Sequence, residues 1–174
     1  NMVTKVKFMY ENLPSWLKID AAENNKLNLR LKNGSQIKAT SASSDAGRSE
    51  AVSLLLIDEA AFIDNIGEIW ASAQQTLATG GGCIALSTPY GTGNWFHQTW
   101  TRAESGENDF LPIKLPWYVH PERDDAWRKK QDELLGDPRM AAQECDCDFS
   151  TSGDIVFYPE YIDYYEKTYV KDPM

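Results

Sequence analysis

The chain has 174 residues, of which 42% are hydrophobic and 25% charged, a composition typical of a soluble globular domain with its own core. No apolar run approaches the roughly 20 residues that a membrane-spanning helix needs, and the first residues show no secretory leader pattern. The net charge of −9 argues against a surface that binds DNA by itself through many phosphate contacts. The densest basic stretch, Arg128–Lys130, has acidic neighbours and is interpreted as a solvated helix face.

The three cysteines, Cys83, Cys145 and Cys147, do not form a recognisable covalent or metal framework. An odd number with a single Cys-x-Cys pair fits neither a set of disulfides nor a zinc site, and His97 and His120 are distant in sequence. We therefore expect reduced thiols in a cytosolic protein.

The first forty residues predict a helix followed by a β-hairpin. Apolar residues recur at helical spacing over residues 1–17, and Pro14 ends the pattern. Residues 26–32 and 35–40 alternate between polar and apolar side chains around an Asn-Gly pair, the strongest short hairpin signal. Because the chain begins with Asn1, within the predicted helix, we expect it to be a fragment.

The centre of the chain predicts alternating strands and helices. Residues 52–58 and 83–87 are apolar runs typical of strands buried on both faces of a parallel sheet, and residues 111–115 predict a third strand. Helices are expected over residues 66–77, with a capping box formed by the residues at 65 and 68, and over residues 95–103. This order indicates an α/β fold with a parallel sheet and right-handed crossovers.

The remaining residues predict a helical region and a tail. Residues 124–135 are amphipathic and Gly136 ends them. Asp137 and Pro138 then supply an N-cap and a first-turn proline for a short helix through Glu144. Residues 146–174 show no clear periodicity and are interpreted as a linker.

Two adjacent carboxylates, Asp58 and Glu59, follow the first apolar strand directly. In nucleotide-hydrolysing P-loop proteins, the first acid at such a strand end holds Mg²⁺, usually through water, and an adjacent Glu can polarise the attacking water. The alternative is a strand that ends in solvated acids.

The second buried strand ends in Ser87, Thr88 and Pro89, about thirty residues later and after an intervening helix. The carboxyl ends of parallel strands lie at one edge of a sheet, where open α/β sheets bind ligands. We therefore expect the hydroxyls to lie near Asp58 and Glu59, where they can contact a catalytic water or a γ-phosphate. Taken alone, the second strand end is also compatible with an ordinary turn.

Several segments together resemble the ATPase domain of the large terminase subunits of tailed bacteriophages. They are LPSW at 13–16, SASSDAGR at 41–48, LLLIDEAAFI at 54–63, ALSTPYGTGNWF at 85–96, LPW at 115–117 with HP at 120–121, and ECDCDFSTSG at 144–153. The resemblance covers nearly the whole chain.

The resemblance implies roles for individual residues. Residues 54–59 match the Walker B strand, so that Asp58 is the acid that holds Mg²⁺ through water and Glu59 is the catalytic residue. Ser87, Thr88 and Pro89 match the coupling motif, which is expected to sense the γ-phosphate. Arg48 is a candidate phosphate or inter-subunit contact, with a solvent-exposed loop arginine as the alternative.

No Gly-x-x-x-x-Gly-Lys-Ser/Thr loop occurs in the sequence. The resemblance therefore implies a P-loop NTPase-like parallel-sheet core of which this chain has only the Walker B half, with a β-hairpin insertion and a helical C-terminal subdomain. The expected divisions are residues 1–117 for the ATPase core, 118–150 for the helical subdomain and 151–174 for a linker towards a nuclease domain. Alone, this fragment is expected to be inactive.

The resemblance implies ATP and Mg²⁺ as cofactors of the full-length protein, which packages double-stranded DNA into a procapsid. The implied partners are DNA, the portal protein and the small terminase subunit, with assembly into a homo-oligomeric ring in the host cytoplasm and no membrane. A helicase-like DNA translocase and a non-catalytic interaction module are the alternatives. A phosphate-binding loop about sixty residues upstream would favour the motor.

Overall fold

A computed structural model describes residues 2–42, 52–78, 80–151 and 159–169 of the chain. The helices are α1 (Met2–Glu11), α2 (Ile66–Leu77), α3 (Trp95–Glu104), α4 (Asp125–Leu135), α5 (Pro138–Ala141) and α6 (Pro159–Tyr169). The strands are β1 (Ala21–Asn25), β2 (Asn28–Leu31), β3 (Gln36–Lys38), β4 (Leu54–Ile57) and β5 (Gly82–Ala85). Short 3₁₀ turns at Ala60–Phe62 and Trp117–Val119 and a π turn at Ala142–Asp146 complete the regular structure. None of the helices in these ranges combines the length and the hydrophobicity that a membrane span requires.

The predicted hairpin is confirmed by β2 and β3, which pair antiparallel across the Asn-Gly turn. Gly34 adopts φ 90°, a conformation that glycine reaches without steric penalty, and its N–H donates to the carbonyl of Leu31 at 3.0 Å. The sequence analysis did not predict β1, which pairs antiparallel with the other edge of β2. Val3 of α1 and Leu29 of β2 are the buried apolar residues of this part of the chain.

The predicted α/β arrangement with a parallel sheet is confirmed by β4 and β5. The two strands pair in parallel, from Leu54 opposite Gly82 to Ile57 opposite Ala85, and α2 lies between them in the chain. A buried cluster that includes Ile57 and Phe96 forms beside this sheet. The core therefore lies directly behind the carboxyl end of β4.

The prediction that these strands are buried on both faces is wrong for the described residues. Leu54 and Leu56 are 52% and 46% exposed, and Ile84 is 49% exposed. Side chains alternate across a strand, so these three lie on the face opposite Ile57. One face of the sheet packs against the core, and the other is an uncovered apolar face.

The predicted third strand is also wrong, because residues 111–115 have no strand structure. Leu111 is 80% exposed, and Leu115 is exposed too. Their apolar character fits a strand, but Pro112 has no N–H to donate to a neighbour. Sequence pattern alone did not distinguish an unpaired extended segment from a strand.

The capping box predicted at the start of α2 is not formed. Asn65 is the N-cap, but its side chain caps no N–H group. Its backbone lies at φ −104° and ψ 25°, outside the extended region from which a capping side chain reaches the first turn. The carbonyl of Ile63 instead accepts the N–H of Ile66 at 3.3 Å, and the carbonyl of Asn65 accepts that of Glu68 at 3.1 Å.

The Gly136 stop and the Asp137 N-cap predicted further along the chain are confirmed, and Gly136 ends α4 at φ 66°. Asp124, which was expected as the first residue of the helix, is instead the N-cap of α4 and accepts the N–H of Trp127 at 2.8 Å. Asp137 caps α5 with Pro138 in its first turn. The short helix expected through Glu144 is α-helical only to residue 141 and then widens into the π turn.

Arg128 joins α4 to the end of the π turn. Its Nε and Nη2 donate to the two carboxylate oxygens of Asp146 at 3.1 and 2.8 Å, a bidentate pair, and Nη1 contacts Asp132. The hydrogen bond with Asp146 raises the pKa of Arg128 above its usual value. This ion pair links the helices of the C-terminal region, whose predicted division from the core at residue 117 stays a prediction.

Gly81 lies in the connection between α2 and β5, at a point that has no room for a side chain. A Cβ there would lie 2.4 Å from the carbonyl oxygen of Val52 and 2.8 Å from Cδ2 of Leu77. At Gly82 the nearest atom would be Cδ1 of Leu54 at 3.8 Å, an ordinary contact. The tight approach at Gly81 keeps the start of β5 against the residues that precede β4.

We expect Gly81→Ala to lower the free energy of unfolding by about 1–3 kcal/mol, because backbone atoms must shift to admit the methyl group. Gly82→Ala is the matched control and should change the free energy by less than about 1 kcal/mol. Urea unfolding followed by circular dichroism measures both. Equal effects of the two substitutions would contradict the close approach at Gly81.

Burial raises the pKa of the Cys83 thiol from its usual value near 9 to about 11. Since the thiolate is the reactive form, we expect Cys83 to react with iodoacetamide at pH 8 roughly 100-fold more slowly than a free thiol of ordinary pKa. Its alkylation rate should still be rising between pH 9 and pH 11. Mass spectrometry of the Cys83 peptide against glutathione in the same tube measures this, and equal rates would contradict the shift.

Candidate active site at the ends of two parallel strands

The carboxyl ends of β4 and β5 are joined by backbone hydrogen bonds that continue beyond the strands. The N–H of Leu86 donates to the carbonyl of Ile57 at 2.9 Å, and the N–H of Ala60 donates to the carbonyl of Leu86 at 3.1 Å. Asp58 and Glu59 lie between those two contacts, and Ser87 follows Leu86 directly. The predicted shared edge is therefore present, with the acid pair and the first hydroxyl on adjacent chain segments.

Glu59 has an uncommon backbone conformation, with φ 54° and ψ 42° in the left-handed region. For a residue with a Cβ this conformation costs about 1–2 kcal/mol, so the surrounding contacts must maintain it. The carbonyl of Glu59 accepts the N–H of Phe62 at 2.9 Å, which closes the 3₁₀ turn. Asp58 and Glu59 are both exposed.

Two alanines anchor the turn that follows Glu59. Ala60 and Ala61 are buried in the same cluster as Ile66 and Phe96. Their small side chains allow the turn to lie close to the core, and larger residues would displace it. Glu59 is therefore an exposed residue that directly precedes a buried turn.

Ser87 makes a side-chain contact that the sequence analysis did not identify. Its Oγ accepts the N–H of Ala61 at 3.2 Å, in a partly buried position. Thr88 is half-buried and Pro89 is buried. A hydroxyl at the end of a strand indicates hydrogen-bonding capacity, but the sequence gives no signal for which backbone group it binds.

The loop that leads from Pro89 into α3 is held by its own side chains. Asn94 donates through Nδ2 to the carbonyl of Tyr90 at 2.7 Å and accepts the N–H of His97 through Oδ1 at 2.9 Å. His97 in turn accepts the N–H of Gly93 through Nδ1 at 3.2 Å. The ring of Tyr90 lies 4.6 Å from that of Phe62, so the loop also contacts the turn beside Glu59.

Two of the predicted site features have no geometric support here. Arg48 lies outside the described residues. Among residues 2–42, 52–78, 80–151 and 159–169 there is no group of three or more His, Cys, Asp or Glu side chains that could hold a metal ion. The part assigned to Asp58 in holding Mg²⁺ stays a prediction.

Comparison with protein families gives one match that bears on this site. A family model described as "Terminase large subunit, T4likevirus-type, N-terminal" matches residues 1–160, which include both sheets and the strand ends described above. The match confirms the resemblance first found in the sequence motifs. The chain belongs to the T4likevirus-type family of terminase large subunits, matches its N-terminal part, and so has a role in phage DNA packaging.

Proposed function

We propose that this chain supplies the residues that catalyse ATP hydrolysis, at the carboxyl ends of β4 and β5, in the ATPase that drives double-stranded DNA into a viral procapsid. The observation that supports the proposal is the meeting of Asp58, Glu59 and Ser87 at one edge of the parallel sheet. Membership of the terminase family makes DNA packaging the process in which such an ATPase acts. We assign Asp58 to the metal and Glu59 to the attacking water.

The donor set fits Mg²⁺ bound to a nucleotide. Mg²⁺ in phosphoryl-transfer sites uses one or two carboxylates together with substrate phosphates and water, so a single acid such as Asp58 is sufficient protein ligation. When bound, the ion neutralises charge on the phosphate oxygens. The small number of acids at this edge is therefore compatible with a nucleotide site.

Glu59 is suited to accept a proton from, or orient, the water that attacks the γ-phosphate. In-line displacement needs a polarising group on the far side of the phosphorus from the leaving group. A carboxylate on a fixed turn meets this requirement better than one on a free loop, because a general base must stay within hydrogen-bond reach of the water. Ser87 and Thr88 remain candidates for coupling hydrolysis to movement, with Pro89 fixing the chain behind them.

The chain contains no Gly-x-x-x-x-Gly-Lys-Ser/Thr sequence, so the proposal assigns the phosphate-binding half of the P-loop NTPase core to other residues of the terminase large subunit. The uncovered apolar face of β4 and β5 supports this part of the proposal. Parallel sheets in nucleotide-binding folds are covered on both faces, and the exposed Leu54, Leu56 and Ile84 require a cover of that kind.

The partners follow from the same proposal. With a net charge of −9, the chain is expected to meet DNA only within an assembly that supplies basic groups from elsewhere. We propose a homo-oligomeric ring docked on the procapsid through a portal protein, with the small terminase subunit as a further partner, in the host cytoplasm. Arg48 stays a candidate for contact with phosphate or with a neighbouring subunit.

In a terminase large subunit that contains this chain, we expect Glu59→Gln to lower the rate of ATP hydrolysis by about 100-fold or more, because the amide cannot accept the water proton. Nucleotide affinity should stay within about two-fold, since Glu59 is not assigned to binding. Phosphate release and fluorescent-nucleotide titration measure the two quantities.

Glu68→Gln is the matched control, because Glu68 is an exposed acid in the first turn of α2 to which no role in hydrolysis is assigned. It should leave both quantities unchanged. Normal turnover by the Glu59→Gln variant would refute the role given to Glu59.

Residues 1–174 alone should show no Mg²⁺-dependent ATP hydrolysis above background, because they contain no phosphate-binding loop that would hold the β- and γ-phosphates. A phosphate-release assay with the purified chain tests this expectation. The matched control is the chain carrying Glu59→Gln, which should give the same background. Turnover that depends on Mg²⁺ and on Glu59 would show that the chain binds the triphosphate by other means.

A further inference from the structure

We propose that Ser87 is a positioning residue that fixes the catalytic Glu59 through the N–H of Ala61. This inference rests on the proposed function, because it concerns the same acid. It differs from the expected role of Ser87 as a sensor of the γ-phosphate. Its basis is the hydrogen bond from Ala61 to Ser87 Oγ, at 3.2 Å, together with the left-handed backbone of Glu59.

Two successive N–H groups after Glu59 bind two successive acceptors after β5. The N–H of Ala60 is bound by the carbonyl of Leu86, and the N–H of Ala61 is bound by the hydroxyl of Ser87. The first acceptor is a backbone carbonyl, so any residue at position 86 would supply it. The second is a side chain, so it is the contact that the identity of residue 87 controls.

Removal of the hydroxyl takes away the acceptor of the Ala61 N–H. Ala61 is only 7% exposed, so water has poor access to its N–H. A buried N–H without an acceptor is unfavourable, and the chain responds by moving the turn towards solvent. Because Glu59 precedes this turn and has a backbone conformation that contacts must maintain, its carboxylate moves with the turn.

The two roles of Ser87 differ in what they do to kinetics. A hydroxyl that contacts phosphate contributes to nucleotide affinity, so its loss raises KM and the nucleotide Kd. A hydroxyl that positions Glu59 contributes to the chemical step, so its loss lowers kcat and leaves the Kd unchanged. The positioning role further requires that the effect disappear when Glu59 has already been disabled.

The test uses the terminase large subunit that contains this chain, with ATP and Mg²⁺. Ser87→Ala should lower kcat by about 10- to 100-fold and leave KM and the Kd for fluorescent ATP within about two-fold. Ser87→Thr retains an oxygen acceptor and should recover kcat to within about three-fold of the parent. Thr92→Ala removes an exposed hydroxyl from the following loop and should have no effect.

Two readouts separate positioning from a general structural effect. Ser87→Ala combined with Glu59→Gln should be no slower than Glu59→Gln alone, because both changes act on one step. Deuterium uptake by a peptide that contains Ala61 should be faster in Ser87→Ala than in the parent or in Ser87→Thr. If Ser87→Ala does not fold, Ser87→Cys fills the site with a slightly larger side chain that is a weaker acceptor, and it should show an intermediate loss of kcat.

Three results would overturn the inference while leaving the proposed function standing. They are unchanged kcat in Ser87→Ala and in Ser87→Cys, a loss confined to nucleotide affinity, and a further loss of rate in the Glu59→Gln background. Normal hydrolysis by Glu59→Gln itself would instead refute the proposed function. The two failures are therefore distinguishable in one set of variants.

Discussion

The parallel pairing of β4 with β5 is the constraint on which the rest of this site depends. It continues past the strands through the contacts of Leu86 with Ile57 and of Ala60 with Leu86. Parallel neighbours require a crossover, and α2 supplies it. Without this pairing, the acids and the hydroxyl would lie on separate loops about thirty residues apart in sequence.

The core behind this edge joins the site to the C-terminal part of the chain. Phe96 belongs both to the buried cluster around Ile57 and to an aromatic group centred on Phe149. His97 and Trp100 complete that group, with ring centroids 5.0 and 6.0 Å from the ring of Phe149. One face of α3 therefore connects the loop after Pro89 with the segment beyond the π turn.

Sequence pattern predicted those features that depend on local chemistry. The apolar runs gave β4 and β5, the Asn-Gly pair gave the hairpin, Gly136 gave the end of α4, and Asp137 gave the cap of α5. Each of these signals acts over a few residues, so a single sequence contains it. The shared edge of the two strand ends followed from the rule that carboxyl ends of parallel strands lie together.

The features that were missed depend on contacts distant in sequence. The composition of β1 is mostly polar, and it becomes a strand only because β2 offers an edge. Residues 111–115 have the composition of a strand but no neighbour to pair with in the described part of the chain. The left-handed backbone of Glu59 and the contact of Ser87 with Ala61 depend on how the segment after β4 lies against the segment after β5. A local sequence pattern does not predict that arrangement.

The uncovered apolar face of β4 and β5 has a consequence for how the chain behaves in solution. Leu54, Leu56 and Ile84 project from a two-stranded sheet whose outer edges have no pairing strand within the described residues. Strand edges beside apolar side chains are templates for pairing with other molecules, and the hydrophobic effect strengthens such pairing. Isolated copies of the chain should therefore self-associate increasingly as the protein concentration rises. Covering this apolar face should reduce the self-association.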